Sequence, residues 1–449
     1  MKKKISILLL ILISMLIFAL ASCDRPISDG LGSDSISQKE ELVELDYVID
    51  RSNGTVVITG IGTNKSANVT IPEEIEGYKV THIAANAFQD CTFQQISLPA
   101  SLESIGRAAF YNCVNLYAVK NFDKTQVTKI LSETFYNCTK LYSIKLPQTL
   151  TLIGRNAFQN CGLTEFVLPD KLEVIEDYAF ASCWYMNIDK LPDSLTIIGE
   201  SAFDNCHSIT KINIPSSVER IEKYAFFACL NLQELILNDG LKYIDERAFC
   251  NCTSLLSVSI PSTVYSVGKE AFWLCSALSY VYINDGVQKI DDLAFADTNI
   301  LEVYVPQSVN IIGALAFYST SLKNMSVDIN NPTYYSQNGS IYSKKDISIV
   351  RYPSVVQESS FTIPDGIKKI ETLAFAATTL QTLNIPKSVE ELGGRIFMFS
   401  SSLNYINYDG TVEEWFSIRK AEDWDDETID YTIYCTNGQI AKDGTVTYK

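Results

Sequence analysis

Apolar residues in this chain recur in one pattern of about 23 residues. The copy Leu232–Ser254 reads LQELILNDGLKYIDERAFCNCTS. The pattern runs L-x-x-L-x-L, then Pro or Asn-Asp-Gly, then V-x-x-I-G, then x-x-A-F-x-x-C. Its anchors are Phe88, Phe110, Phe135, Phe158, Phe180, Phe203, Phe226, Phe249, Phe272, Phe295, Phe317, Phe375 and Phe397. They are spaced by 22 to 25 residues, apart from 58 between Phe317 and Phe375, which is one period plus an insertion. Such regularity excludes an ordinary globular core. It predicts a repeat solenoid in which each coil buries its apolar face only against its neighbours.

Within the coil from Leu141, Ile144 and Leu146 alternate with Ser143 and Lys145. A period of two predicts a half-buried strand. Pro147 ends it, having no N–H for a ladder. Leu150 and Ile153 form a second short apolar segment, and Gly154 is read as the residue that turns the chain. Asn156–Cys161 is too short for a helix of its own and is read as one helical turn that drops Phe158 into the core. Stacked strands lie about 4.8 Å apart, so the anchors would span about 60 Å. One face is then a parallel sheet whose outward side chains form the natural partner surface.

The run Ile214-Pro215-Ser216-Ser217-Val218, through Ala225-Phe226 and Cys229, resembles the BspA-like leucine-rich repeats of bacterial surface proteins. The resemblance covers about residues 45–440 and is specific because it recurs. It implies a horseshoe or arc, mainly β, with parallel strands on one face and short second strands and single helical turns on the other. Characterised members are known for adhesion to host matrix glycoproteins and for bacterial co-aggregation. The resemblance carries no enzyme motif.

In chain order, Lys2, Lys3 and Lys4 precede the apolar run Ile5–Ala21, so residues 1–22 read as an export signal. Leu20-Ala21-Ser22-Cys23 resembles a lipobox, with Cys23 the lipidated residue; an ordinary cleaved signal with a chance cysteine is the alternative. Residues 23–43 are rich in Ser, Asp and Gly and read as a tether. Residues 44–87 form a cap and a first irregular repeat, with a hairpin of Tyr47–Ile49 and Val56–Ile58 around Asn53-Gly54. Regular repeats fill 88–328. Asp189 falls where other coils place an inward apolar residue, which predicts a bulge that turns Ile188 inward. An inserted hairpin region occupies 329–359, further repeats 360–405 and a C-terminal cap 406–449, where Trp415 and Trp424 cover the last coil and 413–420 is a short helix.

The formal net charge is −17, and more negative without the three signal lysines. That balance disfavours nucleic acid and anionic membranes and fits an ectodomain touching a membrane only through its N-terminal lipid. Twelve cysteines in an exported chain suggest disulfides. Their positions argue otherwise. Nine occupy one slot of the coil (Cys91, Cys113, Cys138, Cys161, Cys183, Cys206, Cys229, Cys252, Cys275), and Thr298, Thr320, Thr378 and Ser400 take the same slot later. They are read as inert buried thiols. The preceding Asn112, Asn137, Asn160, Asn205 and Asn251 are expected to bond to backbone. Cys250 and Cys435 have no assigned role.

Candidate chemistry is sparse. His82 and His207 lie about five coils apart, roughly 25 Å, too far to share a metal or a catalytic centre. Zinc would need C-x2-4-C pairs. The acidic run Asp423, Asp425, Asp426, Glu427 and Asp430 lacks the glycine of a calcium loop and reads as a solvated loop. With no nucleophile elbow or phosphate loop, no catalytic residue, metal or cofactor is assigned.

The outward strand positions carry more. Tyr280 and Tyr282 neighbour Tyr304 on the next coil, with Glu302 beside them. They form a candidate contact patch, with cross-strand stabilisation of the sheet as the alternative. A second candidate is the insertion, with Tyr334, Tyr335, Tyr342, Tyr352, Lys344, Lys345 and Arg351. The expectation is a lipid-anchored surface protein that binds host or bacterial proteins or glycoproteins without chemistry. The alternative is a scaffold that organises other envelope proteins.

Overall fold

The computed structural model describes residues 45–449 except 64, 165, 189 and 320. The export signal, the tether, Cys23 and Asp189 lie outside the described residues. From Leu45 onward the chain is a parallel β solenoid of about 16 turns with almost no helix. Each coil has three sides.

The first side carries strands such as Lys211–Ile214, Glu234–Leu237, Ser257–Ile260 and Tyr280–Ile283, which pair in parallel and in chain order. The second carries nine two-residue strands, again parallel and in order, from Lys129–Ile130 to Ile311–Ile312. Their inward residues stack as one branched aliphatic column: Ile153 on Ile175, Ile198 on Ile221, Ile244 on Val267, Val267 on Ile290. β-Branched side chains suit this pleated, half-buried setting.

The third side differs from the predicted helical turn. Asn156 and Asn160 both have left-handed φ of 57°. Ala157 N–H donates to Gly154 O and Cys161 N–H to Phe158 O, which are the marks of two turns with a left-handed third residue. This geometry points alternate amides at the next coil. Asn156, Phe158 and Asn160 donate to Asp177, Ala179 and Ala181 at 2.8–3.0 Å. A helical turn would direct its amides along its own axis and leave the stack unpaired, so buried backbone groups favour the strained turns. The anchors consequently form a single file. From Phe88 to Phe317 successive rings stack 5.1–5.9 Å apart and within 13° of parallel.

Gly154 opens the first of these turns, as its carbonyl accepts from Ala157 N–H, but the left-handed φ falls at Asn156 and not at the glycine. A Cβ there would meet Ser132 N at 2.8 Å, and one at Gly199 would meet Asp177 N at 2.5 Å. These glycines allow one backbone to lie against the coil before it. Glu222 and Asp245 stand at this place in other coils and keep the same turn bonds, from Ala225 N–H to Glu222 O and from Ala248 N–H to Asp245 O.

The described cysteines are free, and all of them but Cys91 are buried. From Cys113 to Cys275 each slot thiol donates to the carbonyl of the phenylalanine one coil back, as Cys161 Sγ to Phe135 O at 3.0 Å and Cys206 Sγ to Phe180 O at 3.2 Å. Ser400 Oγ does the same to Phe375 O at 2.7 Å. Ser400 thus fills the slot as cysteine does, whereas Thr298 Oγ1 turns to Phe295 O of its own coil at 2.9 Å. The neighbouring asparagines do not bond backbone as expected. Asn160 Nδ2 donates to Asn137 Oδ1, Asn137 Nδ2 to Asn112 Oδ1 and Asn112 Nδ2 to Asp90 Oδ1, at 2.5–2.6 Å. They occupy left-handed positions that asparagine tolerates, and their side chains ladder from coil to coil.

At the N-terminus, Asp46–Asp50 pairs antiparallel with Thr55–Gly60, which continues parallel onto Tyr78–Ile83. The hairpin loop has four residues, 51–54, because Asp50 closes it by accepting from Ser52 N–H and Asn53 Nδ2. Ile188 is buried. At the C-terminus the helix Val412–Ser417 begins in a capping box between Thr411 and Glu414. Trp415 packs edge-on against Tyr408 and Trp424.

The segment between the repeats is an antiparallel meander, Tyr334–Gln337, Ser340–Ser343 and Ser348–Arg351. Its last strand pairs in parallel with Lys369–Ile370 and so rejoins the second side. The apolar core divides here into two clusters, one reaching Ile341 and the other starting at Tyr342.

Candidate functional site

The first side presents the tyrosines. Tyr280, Tyr282 and Tyr304 are 60%, 61% and 50% exposed. Strand alternation drives Val281 and Ile283 inward and these rings outward. Across the ladder Tyr280 faces Ser257 and Tyr282 faces Ser259, so small neighbours leave both rings uncovered. On the other flank the sheet is interrupted: Glu302–Val305 pairs with Asn324–Val327 and not with Tyr280–Ile283.

That interruption opens a groove of about 520 Å³, with Tyr282 and Tyr304 both in its lining. Asp285, Gln307 and Asp328 also line it. Tyr304 Oη donates to Asp328 Oδ2 at 2.6 Å, which raises the pKa of the phenol and lowers that of the carboxyl. Asp285 accepts from Gln307 Nε2 and from Ser308 N–H, each at 3.1 Å. The groove thus combines two exposed aromatic rings with two held carboxylates. Tyr280 lies outside its lining. Asp285 is the Asp of the Asn-Asp-Gly element of its coil, but the pattern gave no hint that it faces the tyrosines; Asp328 comes from the following coil and belongs to no motif. A second exposed pair, Tyr405 and Tyr434, meets at 6.0 Å on neighbouring strands of the same kind. The alternation Y-I-N-Y and T-I-Y-C could have signalled it.

The insertion is not a contact surface of the kind expected. Tyr334, Tyr342, Tyr352 and Arg351 are buried. Tyr342 stacks on Tyr335 at 5.0 Å, and Tyr352 packs on Phe375 at 5.1 Å. The alternation Y-x-x-x-x-x-x-I-Y looks amphipathic, but the strand Ser340–Ser343 is buried throughout and Ser348–Arg351 nearly so, whereas Tyr334–Gln337 is only partly covered. Lys344 and Lys345 are exposed, and Lys344 Nζ donates to Asn331 O.

The histidines serve packing. His207 stacks on Trp184 and approaches Asn205 Oδ1 at 3.3 Å, and burial lowers its pKa. His82 Nδ1 lies 2.7 Å from Thr81 Oγ1. In the acidic run, Asp423 pairs with Arg395 and Asp425 accepts from Tyr431 Oη. Both are therefore committed to internal partners.

Beside His207, burial raises the Asp204 carboxyl to about 7. Its folded pKa exceeds the unfolded one, so between about pH 4 and 7 the folded state holds the extra proton and stability falls as pH rises. Asp204→Asn is expected to remove this component: thermal melts at pH 5 and pH 7.5 should differ less in the variant than in the parent. Parallel pH profiles would rule out the carboxyl as their source.

The BspA type leucine-rich repeat model matches residues 62–187, 185–301, 221–347 and 356–417. Among solved structures, a leucine-rich repeat protein from Bacteroides ovatus is 23% identical, with TM-score 0.60, over 88% of this chain and 100% of that one. The pneumococcal vaccine antigen PcpA is 25% identical, with TM-score 0.45, over 48% of this chain and 59% of its own. A leucine rich cell surface protein from Faecalibacterium prausnitzii is 19% identical, with TM-score 0.34, over 86% and 99%. Comparison with curated proteins gives no match. The Bacteroides likeness agrees in fold with the coils described above, and the repeat model covers well over half of the sequence: the chain belongs to the BspA-type leucine-rich-repeat family.

Proposed function

We propose that the protein is a lipid-anchored, adhesin-like binding protein displayed on a bacterial surface. It holds a protein or glycoprotein ligand on the first side of the solenoid without chemistry. The observation that carries this reading is the groove where exposed Tyr282 and Tyr304 flank Asp285 and Asp328, with Tyr280 and Glu302 extending the same face. Tyrosine is a frequent anchor in interfaces. Aromatic faces beside carboxylates suit lysine or arginine side chains, which gain cation–π attraction and charge pairing together. The lysines at 2–4, the apolar run to Ala21 and Cys23 support export and lipid anchoring.

The test is a pull-down of extracellular-matrix proteins and of other bacterial cells with the parent chain and with Tyr280→Ser/Tyr282→Ser/Tyr304→Ser. The triple variant is expected to bind about tenfold or more weakly, since anchors of this kind contribute about 2 kcal/mol or more. It should melt like the parent, because these side chains are outside the core. Equal binding would remove the tyrosines from the contact. Protease treatment of intact cells tests display: clipping supports the surface, whereas protection points to a scaffold facing the inside of the envelope.

A further inference from the structure

A second kind of site lies where the two stacks meet. Ile349 pairs with Ile370, and Tyr352 takes the place of the anchor phenylalanine. Tyr352 N–H donates to Ala374 O at 2.8 Å, as Phe158 N–H does to Ala179 O. A regular coil goes from Ile153 to Phe158, whereas here the path is Ile349-Val350-Arg351-Tyr352, two residues shorter. The outward turn is missing. A cavity of about 350 Å³ remains between the turn of Gly313–Phe317 and that of Glu371–Leu373.

The shortened coil leaves donors without acceptors. The anchor amide of every coil from Phe88 to Phe295 donates to the next coil. The amides of Leu315 and Phe317, both in the cavity lining, have no acceptor among the described residues. Arg351 also lines the cavity and is only 5% exposed. Its guanidinium donates to Leu373 O at 2.9 Å and Ser354 Oγ at 3.3 Å, while Nε has no partner. No carboxylate pairs with it among the described residues, and the Tyr318 ring centroid lies 5.9 Å from the guanidinium carbon. A buried charge without a counter-ion is costly, and burial lowers its pKa to about 10. The acids in the lining have partners of their own there: Glu371 pairs with Lys369 at 2.8 Å, and Asp346 accepts from Ser343 Oγ at 3.0 Å, with Lys369 and Ser343 also in the lining.

We propose that this cavity binds a small monocarboxylate, received by the Leu315 and Phe317 amides and the Arg351 guanidinium. A planar guanidinium and paired amides match a carboxylate. Val350, Ala314 and Leu373 offer apolar wall for the rest of the molecule. Asp346 and Glu371 disfavour a dianion such as phosphate. The site is independent of the tyrosine groove.

The test is a titration of the full chain with benzoate, and separately with inorganic phosphate, followed by calorimetry and ligand-detected NMR. Benzoate is expected to bind and phosphate to bind more weakly. Arg351→Met should weaken benzoate by about tenfold or more, the range of a hydrogen bond to a charged group. Ala314→Phe should block the mouth with a similar loss and an unchanged melt, since Ala314 sits on an exposed turn. It decides the matter if Arg351→Met does not fold. The proposal is overturned if the parent binds no benzoate, if phosphate binds more tightly, or if Ala314→Phe binds benzoate like the parent.

Discussion

Phe226→Ala is expected to destabilise the solenoid by about 3–5 kcal/mol, the usual loss for truncating a fully buried aromatic. Phe226 has no exposed surface and stacks between Phe203 and Phe249 at 5.1 and 5.3 Å. The gap cannot close easily, because the amides of Phe203 and Phe226 fix the coil spacing through Ala225 O and Ala248 O. Coils couple only to their neighbours, so the loss falls on both halves of the array. Equilibrium denaturation should show a lower midpoint, with hydrogen exchange accelerated in coils on either side. A loss below about 1 kcal/mol would mean that the column relaxes, which would contradict rigid stacking.

Trp415→Ala is expected to cost about the same, 3–5 kcal/mol, but at one end. Trp415 is almost wholly buried and joins Tyr408 to Trp424, which itself packs on Phe397 and Tyr431. Terminal coils lose their cover when a cap opens. Amide exchange should rise from about the Phe397 coil to the C-terminus and remain near parental values around Phe158. Uniform acceleration along the chain would show that the array unfolds as one unit and that the core division at the insertion does not limit cooperativity.

These two substitutions also mark different degrees of legibility. The phenylalanine column was readable because one residue type recurs at one period, and a stacked repeat leaves only its neighbours to bury it. The cysteine slot was readable for the same reason, since Thr298 and Ser400 exclude a required disulfide. Its thiol-to-carbonyl bonds were not, because they join residues 25 to 28 apart through the coil spacing. The tyrosines at 280, 282 and 304 were found by alternation alone. Their carboxylate companions were not, since the groove exists only where two strands fail to pair. The insertion misled: its tyrosines and Arg351 read as a displayed cluster, yet Tyr334, Tyr342, Tyr352 and Arg351 are buried and Tyr335 is half-buried.

Sequence by itself determined the coil, its period, the inward and outward positions and the need for caps, because these follow from which side chains must leave water. Tertiary structure alone decided the left-handed turns, the close approach at Gly154 and Gly199, the tyrosine groove and the cavity at Arg351. Each depends on what the neighbouring coil offers to an amide, a Cβ or a charge, and that distance is not written in the order of the residues.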